Sequence, residues 1–276
     1  MRLIMSLIRR TVGRVSAGRR RRLAAPLVLL LGLLVTGGMY ATLSPASATK
    51  AADEDQVAKG RALFLVGCAS CHGKNGEGIV TKRGTQYGPP LAGVGAAAVD
   101  FQVGTGRMPL AQPGQQAPRK EAAYSEEEIS QLAAYVASLG PGPAIPDAQA
   151  LDYADANAAQ GGAIYRTNCS MCHNFAGSGG ALTHGKFAAS LKGVTAKHMY
   201  EAMLTGPQSM PVFGDGTMTP QDKKEIIAYL KTIDAQSNPG GAALGKIGPV
   251  TEGGVGWIVG IGGLIGAAVW LGAKAR

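Results

Sequence analysis

The chain holds four cysteines in its 276 residues, and all four belong to one repeated pattern. Cys68-Ala69-Ser70-Cys71-His72 recurs as Cys169-Ser170-Met171-Cys172-His173. Positions i, i+3 and i+4 share one face of a helical turn. Two thiols on such a face can bond the two vinyl groups of one porphyrin, and the histidine ring then sits under the iron as proximal ligand. Two C-x-x-C pairs also suit zinc, and one pair suits a redox disulfide. Zinc does not require a histidine directly after each second cysteine. A thioredoxin-like disulfide requires a βαβ pattern, which the sequence does not show. The expected cofactors are therefore two covalent haem c groups, one on Cys68 and Cys71 with His72 on the iron, the other on Cys169 and Cys172 with His173.

A haem iron that only carries electrons needs a sixth ligand. Arg107-Met108-Pro109 lies 36 residues after His72, and Ser209-Met210-Pro211 lies 37 residues after His173. Proline holds the residue before it extended, which limits how the loop can move. A thioether opposite histidine gives an electron-transfer iron with a raised potential. Met108 and Met210 are the expected axial ligands. Met203 aligns with Val103 and reads as core. Met218 reads as packing or solvent-facing, and Met171 as lying along the haem edge. His184 and His198 read as surface or hydrogen-bonding residues. Two His/Met irons leave no open position for oxygen, peroxide or nitrite. No nucleophile–base set, phosphate loop or further metal cluster is present, so no catalytic residue is expected beyond electron transfer.

Small helical elements must position these ligands. Asp53 or Asp55 can cap a helix over 56–64 that delivers the chain to Cys68. A glycine-rich loop, 73–78, and the turn Tyr87-Gly88-Pro89-Pro90-Leu91 can lie along the porphyrin. Ser125 with Glu128 forms a capping box ahead of a helix burying Ile129, Leu132, Ala133 and Val136. Thr219-Pro220-Gln221-Asp222 starts a second helix, with Ile226, Ile227, Leu230 and Ile233 as its stripe. The halves are an internal repeat. Gly60, Phe64 and Cys68 match Gly161, Tyr165 and Cys169 at an offset of 101, and Thr105-Gly106 matches Thr205-Gly206 at 100. Aromatics are 5% of the chain and glycines number 41, so each core is thin, and a held haem supplies apolar bulk. The expected fold is mainly α: two tandem class I cytochrome c domains, 51–140 and 159–235, joined by a linker over 141–158.

The formal charge of +9 is not a nucleic-acid signal. Eight arginines and no acid fall in 1–43, Lys274 and Arg276 close the chain, and 44–273 carry a net −1. The basic residues flank apolar runs at 23–43 and 255–273. The first run spans roughly 31 Å as a helix, about one hydrocarbon core. Ala46-Ser47-Ala48 resembles a cleavage site, so the run is an anchor or a signal segment. Trp257 and Trp270 sit about 20 Å apart along the second run, as interface aromatics do. Gly256/Gly260 and Gly262/Gly266 suit close packing on partner helices. Basic ends stay inside, so both termini (1–22 and 274–276) are expected in the cytoplasm, the haem domains on the far side, with a linker at 236–254.

Over nearly its whole length the chain resembles the cytochrome c subunit of actinobacterial cytochrome bc1 complexes, often called bcc for its two c haems. The resemblance rests on the arginine-rich N-terminus, the two C-x-x-C-H domains, Phe101-Gln102-Val103-Gly104-Thr105-Gly106-Arg107-Met108-Pro109, Cys172-His173-Asn174-Phe175, Met203-Leu204-Thr205-Gly206-Pro207-Gln208 and the C-terminal apolar run. It implies a subunit of a membrane-bound quinol–cytochrome c reductase, a translocase. Electrons from menaquinol would pass through a Rieske iron–sulfur subunit, beside cytochrome b, to one haem, then to the second and on to an aa3-type oxidase. Rival readings are a free di-haem carrier, a di-haem subunit of a cbb3-type oxidase and a di-haem peroxidase. The first two lack a C-terminal helix, and two Met-Pro loops argue against the third.

Overall fold

The computed structural model describes residues 24–43, 54–84, 86–112, 114–236 and 249–274. The basic segment 1–22, Ala46-Ser47-Ala48, Asp53, most of the 236–254 linker and Arg276 lie outside them. The chain divides into two compact units, residues 1–51 and 52–276. The first contributes α1, Ala24–Leu43, a 20-residue helix with no charged residue.

The second unit is mainly α and built twice. Its first half runs α2 (Glu54–Gly67), α3 (Ala69–His72), the ribbon β1 (Ile79–Val80) with β2 (Gln86–Gly88), α4 (Gly95–Gly104) and α5 (Glu126–Ser138). After α6 (Ala148–Leu151), the second half repeats this order. It has α7 (Ala158–Asn168), α8 (Ser170–His173), the ribbon β3 (Gly180–Ala181) with β4 (Phe187–Ala188), α9 (Ala196–Thr205) and α10 (Pro220–Ala235).

Local chemistry sets the helix starts. Ser125 Oγ accepts the Glu128 amide and Glu128 Oε2 accepts the Ser125 amide, at 3.3 and 2.8 Å, closing the expected capping box. Thr219 and Asp222 form the same box on α10, with Pro220 in the first turn, where no amide donor is needed. Both helices bury the stripes read from their spacing. Ile129, Leu132, Ala133 and Val136 are buried, as are Ile226, Ile227 and Leu230, with Ile233 partly covered.

In each half the first and last helices cross at a glycine. A Cβ on Gly60 would fall on the Gln131 carbonyl of α5, and one on Gly161 would fall on the Glu225 carbonyl of α10. That close approach seats an aromatic pair one turn on. Phe64 meets Tyr135 at 5.0 Å between ring centroids, and Tyr165 meets Tyr229 at 5.4 Å. Burying a ring such as Phe64 contributes about 2–3 kcal/mol.

The stretch 141–158 is more than a connector. Pro143 O accepts the Ala97 amide at 3.1 Å, and Gly142 lies on the backbone of Gly93 and Gly95. Asp147 caps α6, and Ala150, Leu151 and Tyr153 pack on the second core. A one-turn helix is too short to show a 3.6-residue period, so the sequence pattern misses it. The C-terminal apolar run lies in a longer helical segment, α11 (Pro249–Gly256) and α12 (Gly262–Lys274), joined by a π turn at Trp257–Ile261.

Two flanking transmembrane helices were expected. Among the described residues one helix is long and apolar enough to cross a membrane, Thr251–Lys274, with mean hydropathy 1.8 and no buried share. In α1 the side chains are described only from Pro26 to Gly37, an apolar run shorter than a span.

Candidate haem sites

Each attachment motif is one helical turn hung from the end of a longer helix. The Cys68 amide donates to Phe64 O at 2.8 Å, and the amides of Cys71 and His72 both donate to Cys68 O. In the second half Cys169 donates to Tyr165 O, also at 2.8 Å, and Cys172 and His173 donate to Cys169 O. The turn puts two thiols and one imidazole on a common side. It ends at Gly73 (φ 79°) and at Asn174 (φ 66°), asparagine being among the few side chains that tolerate this backbone.

The histidines are oriented by backbone carbonyls. His72 Nδ1 lies 2.8 Å from Pro89 O, and His173 Nδ1 lies 2.9 Å from Ala189 O. A proton on Nδ1 donated there leaves Nε2 as the ligand atom. The expected turn at 87–91 thus acts on the histidine. A Cβ on Gly88 would collide with the Cys71 carbonyl, so only glycine lets the turn come this close. Burial holds His173 below its ordinary pKa, the Ala189 bond opposing, which favours the neutral ring a metal needs. Burial also pushes the Cys68 and Cys169 thiols up to about 11, the neighbouring Cys71 and Cys172 adding to it. A redox cysteine needs an accessible thiolate, so these environments speak against a redox disulfide.

The two Met-Pro loops are held by repeated devices. Thr105 Oγ1 bonds back to Phe101 O at the end of α4, and Thr205 Oγ1 bonds back to Glu201 O at the end of α9. Gly106 and Gly206 follow at positive φ, and Met108 and Met210 come shortly after. Lys120 Nζ donates to Gly106 O and Pro109 O, bracketing Met108 on both sides. In the second half a fully buried Lys223 donates to Asp215 Oδ1 and Met218 O, each at 2.7 Å, fixing the loop beyond Met210. Met108, Cys68 and Leu91 all pack on the first core, and Met210, Cys169 and Leu191 all pack on the second.

A haem fits what is present. Cys169, Cys172, His173 and Met210 line one cavity with about 1360 Å³ of atom-free space, open mouth included, walled by Leu191, Val194, Met199 and Ile226. The donors are those of an apolar, iron-bearing macrocycle: two thiols, an imidazole and a thioether. The first half offers the same set in Cys68, Cys71, His72 and Met108. Met203 and Met218 are buried in the second core, Met171 projects 93% exposed, and His184 stands in a short 3₁₀ turn. His198 is not a surface residue. It lines the cavity and meets Phe101 of the first half edge-on at 6.1 Å.

The cavity wall is completed by the first half, through Phe101, Thr105, Arg107, Gln116 and Arg119. Two glutamines fasten the halves. Gln116 accepts the Phe187 amide at 2.8 Å and donates to Phe187 O at 2.7 Å. Gln208 accepts the Ala117 amide at 3.1 Å and donates to Ala117 O at 3.0 Å. Beside them α4 meets α9. Lys197 Nζ lies 2.8 Å from Asp100 Oδ2, and ligand atoms of Asp100, His198 and Glu201 all lie within 4.8 Å of one another. Glu201 is fully buried beside Asp100. Burial raises its pKa to about 9, with Asp100 adding to the rise and Lys197 opposing it. The sequence reading missed this joint, although Asp100 is the one charge in the apolar helix 95–104.

Residues 57–140 match the sequence model of the Cytochrome c family, and residues 156–230 match that of Cytochrome C oxidase, cbb3-type, subunit III. Full-length likeness lies elsewhere. A "Cytochrome bc1 complex cytochrome c subunit" of Mycobacterium tuberculosis is 42% identical over 273 residues, 95% of each chain. Proteins of the same name from Mycobacterium leprae (43%, over 90% of this chain and 87% of that one) and Corynebacterium diphtheriae (40%, over 93% and 95%) align as well. The cbb3-type match is confined to one domain, whereas these relatives take in both domains and the segments that flank them. With a cytochrome c domain in each half and electron transfer as its work, the chain belongs to the family of cytochrome bc1 complex cytochrome c subunits.

Proposed function

We propose that the chain is a membrane-anchored relay that binds two haem c groups and links a menaquinol-oxidising complex to an aa3-type oxidase. The observation that carries this reading is the duplicated donor set: two thiols, a carbonyl-oriented imidazole and a clamped Met-Pro thioether in each half. Cys68, Cys71, Cys169 and Cys172 attach the groups. His72 with Met108, and His173 with Met210, hold the two irons, leaving no position for a substrate. A haem so ligated supplies a one-electron couple of raised potential. The chain's part is to fix distance and potential. The first domain faces the Rieske iron–sulfur subunit and its cytochrome b neighbour, and the second faces the oxidase. Helices at 23–43 and 255–273 anchor the chain, with both termini cytoplasmic and the haem domains outside.

The test is a gentle detergent purification of tagged chain from its own membranes, read by reduced-minus-oxidised spectra and quinol oxidase activity. Co-purifying b-type and a-type bands with quinol-driven oxygen uptake are the expected result. A c-type spectrum alone sinks the relay to an oxidase. Met108→His and Met210→His should each lower one potential. Stepwise reduction by quinol should then stall before the second haem in the Met108 variant, and the reverse stall refutes the order.

A further inference from the structure

We infer that the second haem site is shared between the domains: Arg107 and Arg119 of the first domain hold the two carboxylates of the haem attached to the second. This rests on the reading that Cys169, Cys172 and His173 bind a haem.

Both arginines line the cavity that also holds Cys169, Cys172, His173 and Met210. Among the described residues neither guanidinium has a carboxylate partner or a hydrogen bond. Arg107 is half-buried, with its Cζ 4.8 Å over the Phe101 ring, so it is held in place by stacking and not by an acid. Two like charges gathered at one cavity mouth, one of them partly desolvated, call for anions there. A haem is an apolar disc with two carboxylates on one edge. It supplies the missing anions in the number and place that the two cations demand. Guanidinium suits this task because its planar fork pairs carboxylate oxygens two at a time.

Gln116 lies in the same wall and binds the Phe187 backbone, so the segment bearing Arg119 is tied to the second domain before any haem is considered. Arg107 is bonded directly to Met108, the thioether assigned to the first iron. The arginine that holds the acid edge of one site is therefore the residue next to the axial ligand of the other.

The test uses the full chain in detergent, with a spectroelectrochemical titration of both c-type waves. Met108→His and Met210→His mark which wave belongs to which haem. Arg119→Gln and Arg107→Gln should each lower the Met210-marked wave, because losing a cation favours the oxidised, more positive haem. The expected size is about tenfold in the reduction equilibrium, 59 mV for one electron. Arg119→Lys should keep most of the potential. Arg119 adjoins Lys120, which clamps the Met108 loop, so an unmoved Met108-marked wave is the control in its variant. A shift confined to the Met108-marked wave, or no shift in the Arg119 variant with both haems attached, overturns the inference. A mass spectrum of the 169–173 peptide without haem would overturn it together with the reading beneath it, which is a separate result.

Discussion

Glu201 is a fully buried acid facing Asp100 across the joint between domains, and its protonation has a calculable consequence. Its pKa rises from 4.5 to about 9 in the closed structure. Closing the joint at neutral pH thus requires taking up a proton that the unfolded chain does not carry. A raised pKa contributes stability that is complete below pH 4.5 and is lost as pH climbs toward 9. At pH 7 the loss is about 3 kcal/mol, from 1.36 kcal/mol per unit between 4.5 and 7. Glu201→Gln keeps the shape of the protonated side chain and needs no proton. It should stabilise the protein by about 3 kcal/mol at pH 7, or about 6–12 °C in melting temperature. At pH 8.5 the gain should be larger, and at pH 4.5 nearly nil. Asp100, Lys197 and His198 face the same spot and are unchanged in both proteins. Melting of the detergent-purified holoprotein by Soret circular dichroism, at three pH values, reads the difference. A gain that does not grow with pH, or a variant less stable than the parent at pH 8.5, refutes the reasoning.

Gly161→Ala places a methyl group on the Glu225 carbonyl at the α7–α10 crossing, and overpacking of this kind costs about 1–3 kcal/mol or more, read as a lowered melting temperature. Gly60→Ala should do the same to the first domain through the Gln131 carbonyl. Gln116→Ala or Gln208→Ala removes two neutral hydrogen bonds at the joint, each pair worth about 1–3 kcal/mol. Hydrogen exchange at the Phe187 amide should quicken in the first variant and at Ala117 in the second, while the Tyr165 and Phe64 cores stay protected. Thr219→Ala removes the cap of α10 and should cost about 1 kcal/mol, with fraying confined to the first turn of that helix by hydrogen exchange.

Local chemistry was legible in the sequence, and chemistry between distant segments was not. The capping boxes at Ser125 and Thr219 need only a three-residue spacing, and both form. The repeat of Thr-Gly before each Met-Pro marked two equivalent loops, yet it said nothing of Lys120, which clamps the first, or of Lys223, which fixes the segment beyond the second. Gln116 and Gln208 lie 71 and 91 residues from the backbone they bind, beyond any periodicity. Two signals were readable in hindsight. Asp100 is a lone charge in an apolar helix, and Glu201 shares a face of α9 with Lys197 and His198. A charge in an otherwise apolar helix marks a place where another element must arrive. The 141–158 segment was misleading for a simpler reason: proline and glycine set its path on the first domain, and its one helical turn carries no period.

The glutamine at position 116 has a second effect. β4 is one strand of a two-stranded ribbon, and Phe187 would otherwise present an amide and a carbonyl outward to solvent. An unpaired edge of that kind invites a strand from another molecule. The Gln116 carboxamide has the same donor and acceptor as a peptide group, and it occupies that pair of positions from the side. The fastening between domains is thereby also a stopper on an open sheet edge. A chain whose halves separate exposes an adhesive strip at Phe187, so self-association is the expected companion of any variant that loosens the joint.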